Sequence, residues 1–148
     1  MPQPVTKLSP DQLLQQSFAF HQAGKLDEAE NGFRRLLKLY PSNPQLLASL
    51  GTILLQKSNL IEGTKTLEKS LKFSKNQPMI FLNLGIAYEK MNQIDNALHA
   101  FDNCIKLHPG FHDAIERKGK LLFNLGRFGL AIEAVSYTHL TLPTICSV

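Results

Sequence analysis

Tryptophan is absent from the 148 residues, and cysteine occurs only twice. Cys104 and Cys146 stand too far apart to offer a metal-ligand pair or a redox motif, and two cysteines make no disulfide framework. Long apolar runs are missing too. The longest near-apolar stretch, residues 46–55, contains Ser49, Gly51 and Thr52, whereas a helix needs about 20 apolar residues to cross a bilayer. The first residues hold no charged stretch leading into an apolar one, so no secretory signal is expected and the cytoplasm is the expected compartment. Charged residues are sparse at 19% but apolar ones reach 43%, which argues against wholesale disorder and for a packed core.

Chemistry is equally thin. No Gly-rich phosphate loop, Gly-x-Ser-x-Gly or His-Glu-x-x-His occurs. His108 and His112 bracket Pro109 and Gly110, so one helix face cannot offer both to a metal; His21, His99 and His139 are scattered. Asp27, Glu28 and Glu30 gather at the start of a helical pattern, where acids offset the helix dipole rather than perform acid–base chemistry. No catalytic residue, metal or cofactor is expected, and the chain is read as no enzyme. Sixteen Lys and Arg face twelve Asp and Glu, with the signs interleaved. The basic clusters at Arg34, Arg35 and Lys38, and at Lys65, Lys69, Lys72 and Lys75, fit solvated helix faces, so neither nucleic acid nor membrane is an expected partner.

What the sequence does have is a period. Proline stands at 10, 44 and 78, and glycine at 51, 85 and 119. The steps are equal at about 34 residues, a length typical of helical-repeat arrays. Ala29, Gly63, Ala97 and Ala131 keep the same interval, as do Phe33, Leu67 and Phe101. Within each period two amphipathic patterns recur, one through Leu47, Leu50 and Leu54 or Phe81, Leu84 and Tyr88, the other through Ala29, Phe33 and Leu36 or Ala97, Phe101 and Cys104. Short turns separate the two patterns at Ala23-Gly24-Lys25, Lys57-Ser58-Asn59, Met91-Asn92-Gln93 and Leu125-Gly126-Arg127, where Gly and Asn suit the left-handed conformation that closes a helix. Ser9 followed by Pro10 and Gln12 reads as a capped helix start, and Asn43 with Pro44 repeats it. The spacing predicts helices over 10–23, 27–40, 44–57, 60–74, 78–91, 95–107 and 112–125, with an eighth from 128. Gly51, Gly85 and Gly119 fall mid-helix, where glycine costs about 1 kcal/mol against alanine. Close approach of the partner helix at Ala29, Gly63, Ala97 and Ala131 is the expected compensation.

These residues resemble tetratricopeptide repeats. The third unit fits best, through Phe81, Leu84, Gly85, Tyr88, Ala97, Phe101 and Pro109; the second has Lys75 where the closing proline would fall. The resemblance implies an all-α, right-handed superhelical solenoid of antiparallel helix hairpins, about 3.5 repeats long. The expected division is an N-terminal extension at 1–9, repeats at 10–43, 44–77 and 78–111, a truncated fourth at 112–134, and a tail at 135–148. That tail carries no Lys, Arg, Asp or Glu. It resembles the translation of a sequencing-library adapter, which would leave the gene interrupted inside the fourth repeat and the last helix frayed.

Function follows from the family. Its members generally bind extended peptides on a concave face lined by first helices, so a non-catalytic scaffold holding a peptide or partner protein is expected. The implied inner residues are Leu14, Phe18 and His21; Ala48, Thr52 and Gln56; Leu82, Asn83, Ile86 and Lys90; and Asp113, Arg117 and Lys120. Units one to three would offer an apolar stripe and unit four charge. Members that clamp a chaperone's C-terminal carboxylate use Lys, Asn, Asn, Lys and Arg. One framing gives Leu14, Phe18, Ser49, Met79 and Asn83, the other Ala48, Thr52, Asn83, Asp113 and Arg117; both lack the lysines, so chaperone tails are not expected ligands. Residues 14–30 also resemble the start of bacterial repeat proteins that continue into a glycosyltransferase or sulfotransferase domain, which would make this a substrate-recruiting region of a larger enzyme. Nothing in the sequence bears on oligomeric state.

Overall fold

A computed structural model describes residues 7–126. Among them are seven α-helices and no strand: α1 (Pro10–Gln22), α2 (Leu26–Leu39), α3 (Pro44–Gln56), α4 (Leu60–Phe73), α5 (Pro78–Lys90), α6 (Ile94–Leu107) and α7 (His112–Asn124). The odd helices begin at 10, 44, 78 and 112 and the even ones at 26, 60 and 94, so the sequence period is also the structural period. Every helix bound agrees with its predicted value to within one residue. The eighth helix, Ala131 and the 135–148 tail lie outside the described residues. No helix among the described residues is long and apolar enough to cross a membrane.

Local chemistry sets these bounds. Ser9 caps α1 in a reciprocal box, its hydroxyl accepting from the Gln12 amide at 3.2 Å while Gln12 Oε1 accepts from the Ser9 amide at 3.0 Å. Asn43 Oδ1 accepts from the amides of Gln45 and Leu46, and Pro44, whose missing N–H would have no helical partner anyway, opens α3. The first helix of each hairpin ends on a residue in the left-handed region: Gly24 (φ 74°), Ser58 (64°), Asn92 (58°) and Gly126 (74°). Around Gly24, the Lys25 amide donates to the Phe20 carbonyl at 2.9 Å and the Gly24 amide to His21 at 3.1 Å. The same pair of bonds recurs at Asn59 to Leu54 and Ser58 to Leu55, and at Gln93 to Tyr88 and Asn92 to Glu89. This double closure satisfies carbonyls that a helix end leaves orphaned.

The chain forms two compact units that divide after Lys75. In the first, α1 packs on α2, α3 on α4, and α2 on α3. Leu13, Ala29, Phe33, Leu36, Leu46, Leu50, Ile53 and Leu54 make one continuous core there. In the second, α5 packs on α6 and α6 on α7, around Leu82, Ala97, Phe101, Cys104, Ala114 and Leu121. Burial pushes the Cys104 thiol up to about 11, so it packs as an apolar group and stays protonated at neutral pH.

The mid-helix glycines do permit close packing, but their main partners are not the small residues expected. A Cβ on Gly51 would lie 2.5 Å from Leu67, with the Gly63 carbonyl at 3.2 Å, and one on Gly85 would run into the Phe101 ring. Leu67 and Phe101 follow Gly63 and Ala97 by one helical turn. Gly63 makes room for Leu55 instead, at 2.6 Å. In the first hairpin Ser17 takes the small first-helix position, and the missing Cβ is that of Gly32, which would collide with Ser17 Oγ. The Ser17 hydroxyl is fully buried and donates to the Leu13 carbonyl at 2.6 Å.

Candidate functional site

In the first unit, Leu14, Phe18 and His21 follow one another by four and three residues along α1, and Ala48, Thr52 and Gln56 by four along α3, so each set forms one stripe. A hydrogen bond of 2.9 Å between His21 Nε2 and Gln56 Oε1 ties the ends of the two stripes together. Phe18 is 40% exposed, its ring set edge-on to the buried Phe33 at 5.1 Å. Phe33 thereby fixes an exposed aromatic from behind. Leu14 is half-buried against the core, and Ala48 and Thr52 are half-buried as well. These six residues include no Lys, Arg, Asp or Glu.

The second unit differs. Leu82, expected on the inner face, is 5% exposed and belongs to the core; α5 turns it toward Phe101 and Leu121, so it offers no surface to a ligand. Ile86 is half-buried and packs against the same core, and Asn83 is half-buried, leaving Lys90 as the exposed residue of the α5 set. The apolar stripe is therefore thinner here than the helical spacing implies. Asp113 and Lys120 on α7 are exposed and Arg117 is largely so, and the structure gathers them with Glu89 and Glu116 around a cleft of about 200 Å³. Arg117 lies 3.9 Å from Glu89 Oε2, and Lys120 binds Glu116 at 2.6 Å, which holds the Glu116 carboxyl below its ordinary range. Glu89 and Glu116 were not among the residues expected on this face. The i to i+4 spacing of Glu116 and Lys120 is the sequence signal that could have found one of them.

A separate network shows what the acids at the start of α2 do. Lys57 Nζ lies 2.5 Å from Asp27 Oδ1 and 2.6 Å from Glu30 Oε2; Glu30 also pairs with Arg34 at 2.8 Å, and Arg34 with Glu62 at 2.6 Å. The dipole reading holds for Asp27 and Glu28, which occupy the first turn of α2. In addition, Asp27 and Glu30 tie α2 to the α3 C-cap and, through Arg34, to α4. Lys57, then Arg34, holds the Glu30 carboxyl below its ordinary range against the opposing effect of burial. Glu62 raises Arg34, and Asp27 with Glu30 raises Lys57. Among the described residues no group of three His, Cys, Asp or Glu is placed to hold a metal ion.

Helix hairpins repeated at one fixed period define a helical repeat scaffold, a solenoid-type array whose polar groups make caps and ion pairs. Residues 19–64 and residues 78–111 each match the tetratricopeptide repeat family, and the chain belongs to that family. A small glutamine-rich tetratricopeptide repeat-containing protein 2 of Mycosarcoma maydis is 33% identical over 66 residues, 45% of this chain and 19% of that protein. Human tetratricopeptide repeat protein 13 is 26% identical over 97 residues, 66% of this chain and 11% of that protein. The matches thus span about a fifth and about a ninth of those relatives' lengths. Among solved structures, MamA superposes with a TM-score of 0.84 at 18% identity, covering 88% of this chain and 76% of its own. A tetratricopeptide repeat protein from Parabacteroides merdae gives 0.80 at 22%, covering 86% and 51%. At these identities the likeness is one of fold.

Proposed function

We propose that this chain is a non-catalytic interaction scaffold that holds a peptide or partner protein on its first-helix faces. The supporting observation is the α1–α3 face, where an exposed Phe18 is backed by Phe33 and the His21–Gln56 hydrogen bond joins the two stripes. An aromatic kept exposed but immobile loses little side-chain entropy when a ligand covers it, which is the character of an interface anchor. The charged cleft between α5 and α7 in the second unit supplies a contact of different chemistry, suited to a ligand segment carrying both signs.

A peptide array probed with the whole chain, followed by titration of the peptides retained, tests this reading. Phe18→Ser and Arg117→Glu change exposed side chains, and circular dichroism establishes that each variant keeps its helices. At least one of them is expected to weaken the retained peptides by about tenfold or more, the scale of an anchor lost from an interface. Unchanged binding in both variants overturns the first-helix faces as the ligand site.

A further inference from the structure

The first unit has a concavity lined by none of the residues just considered. Leu37 of α2 and Pro41 in the loop give it apolar walls over a floor of the buried Leu47 and Leu50 of α3; Lys65 and Lys69 of α4 stand at its edge. It is a shallow, open groove of about 280 Å³, just below the ~300 Å³ at which small-molecule pockets begin. Both lysines are exposed, and neither has a hydrogen-bond or ion-pair partner among the described residues. Thr66, the remaining polar residue lining it, donates its hydroxyl to the Glu62 carbonyl at 2.8 Å. The polar groups left free for a ligand are therefore two ammonium groups beside an apolar wall.

Charge is distributed to match. Residues 1–75 hold ten Lys and Arg against six Asp and Glu, a net +4, whereas residues 76–148 hold six of each. Three of the six acids in the first unit, Asp27, Glu30 and Glu62, are already bound to Lys57 and Arg34. The lysine pair belongs to one repeat: a period earlier the positions carry Asn31 and Arg35, and a period later His99 and Asn103. Two unpaired cations one helical turn apart attract carboxylates. The apolar wall adds a requirement that a purely ionic ligand would not meet.

We propose that this groove docks an extended acidic peptide, one large apolar side chain lying against Leu37 and Pro41, above the buried Leu47 and Leu50, while flanking Asp or Glu carboxylates meet Lys65 and Lys69. It is a contact additional to the first-helix faces and independent of them. The test is fluorescence anisotropy of the whole chain with short labelled peptides. One is rich in Asp and Glu around a central Phe, a second has Ser for that Phe, and a third has Asn and Gln for the acids. The first is expected to bind saturably, the other two about tenfold more weakly or worse, with affinity falling as salt is added. Lys65→Glu with Lys69→Glu is expected to weaken the first peptide by about tenfold or more. Lys7→Glu with Lys106→Glu, the same change of net charge elsewhere, leaves it unchanged. Four outcomes overturn the proposal: no saturable binding; equal binding of the Phe and Ser peptides; duplex DNA binding as tightly as the Phe peptide; or equal weakening by the two double variants.

Discussion

The α1–α2 and α5–α6 hairpins solve one packing problem from opposite sides. In α5–α6 the first helix gives way: Gly85 has no Cβ, and the Phe101 ring fills the space. In α1–α2 the second helix gives way, since Gly32 has no Cβ and Ser17 stands in the gap, its hydroxyl turned back to the Leu13 carbonyl. The α3–α4 hairpin does both, with Gly51 under Leu67 and Gly63 under Leu55. Close approach of two helices requires an absent methyl group at the crossing, and which helix omits it is free. Protein interiors are packed densely enough that this freedom is tested by a single carbon.

The largest effect expected is at these crossings. Gly85→Val drives a branched side chain into an aromatic ring already within contact, and is expected to cost about 3 kcal/mol in chemical denaturation. Combining it with Phe101→Leu should recover a large part of that loss, since the smaller side chain vacates the space. Gly32→Ala is expected to cost about 1–2 kcal/mol because its Cβ meets Ser17. The exchange of Ser17→Gly with Gly32→Ala moves the gap to the first helix, as in α5–α6, and should restore near-native stability. If the paired exchange is as unstable as Gly32→Ala alone, the hairpins are not equivalent and the comparison fails.

Helix bounds were legible where local chemistry marks them: side-chain caps at Ser9 and Asn43, a proline opening α1, α3 and α5, and a left-handed turn residue after each of α1, α3, α5 and α7. The facing partner of each glycine was not. A period marks where a small residue stands, but helical side chains lean toward the N-terminus, so the group reaching Gly51 or Gly85 starts one turn beyond the small residue of the opposite helix. The candidate face was legible only through the family resemblance. Spacing alone could not separate Leu82, turned into the core, from Ile86, turned partly out, because α5 is apolar nearly all round. Nor could it show that Glu89 meets Arg117, a contact between α5 and α7 that no local spacing encodes.

The turns sharpen the comparison at smaller scale. The left-handed position is glycine at 24 and 126, asparagine at 92 and serine at 58. Asparagine tolerates that region through its short polar side chain, whereas serine bears more of the Cβ penalty. Ser58→Gly is therefore expected to stabilise the first unit by about 0.5–1 kcal/mol, and Asn92→Gly the second by less. Thermal melts of the two variants measure the order; a larger gain at 92 than at 58 would contradict it.

The smallest effect separates the units by charge. The Glu30 carboxyl sits below its ordinary range because Lys57 and Arg34 favour its ionised form. A depressed carboxylate contributes stability above its unfolded value, near pH ~4.3, and loses it as pH falls through the lower folded value. Glu30→Gln should thus lower stability at neutral pH by less than about 1 kcal/mol, screened further by salt, because its partners are partly exposed. The deficit against the parent protein should shrink toward zero as pH falls through that lower folded value, below which the parent's carboxylate is itself protonated. At the alkaline end the sign reverses for the partner: Lys57 is raised, so its share persists through neutral pH and is lost only as pH climbs past the ordinary lysine range. Glu30→Gln and the parent should therefore diverge at neutral pH and converge in acid. A difference that stays constant across that range would mean Glu30 acts through packing, and that the network spanning α2, the α3 C-cap and α4 holds its geometry without its charge.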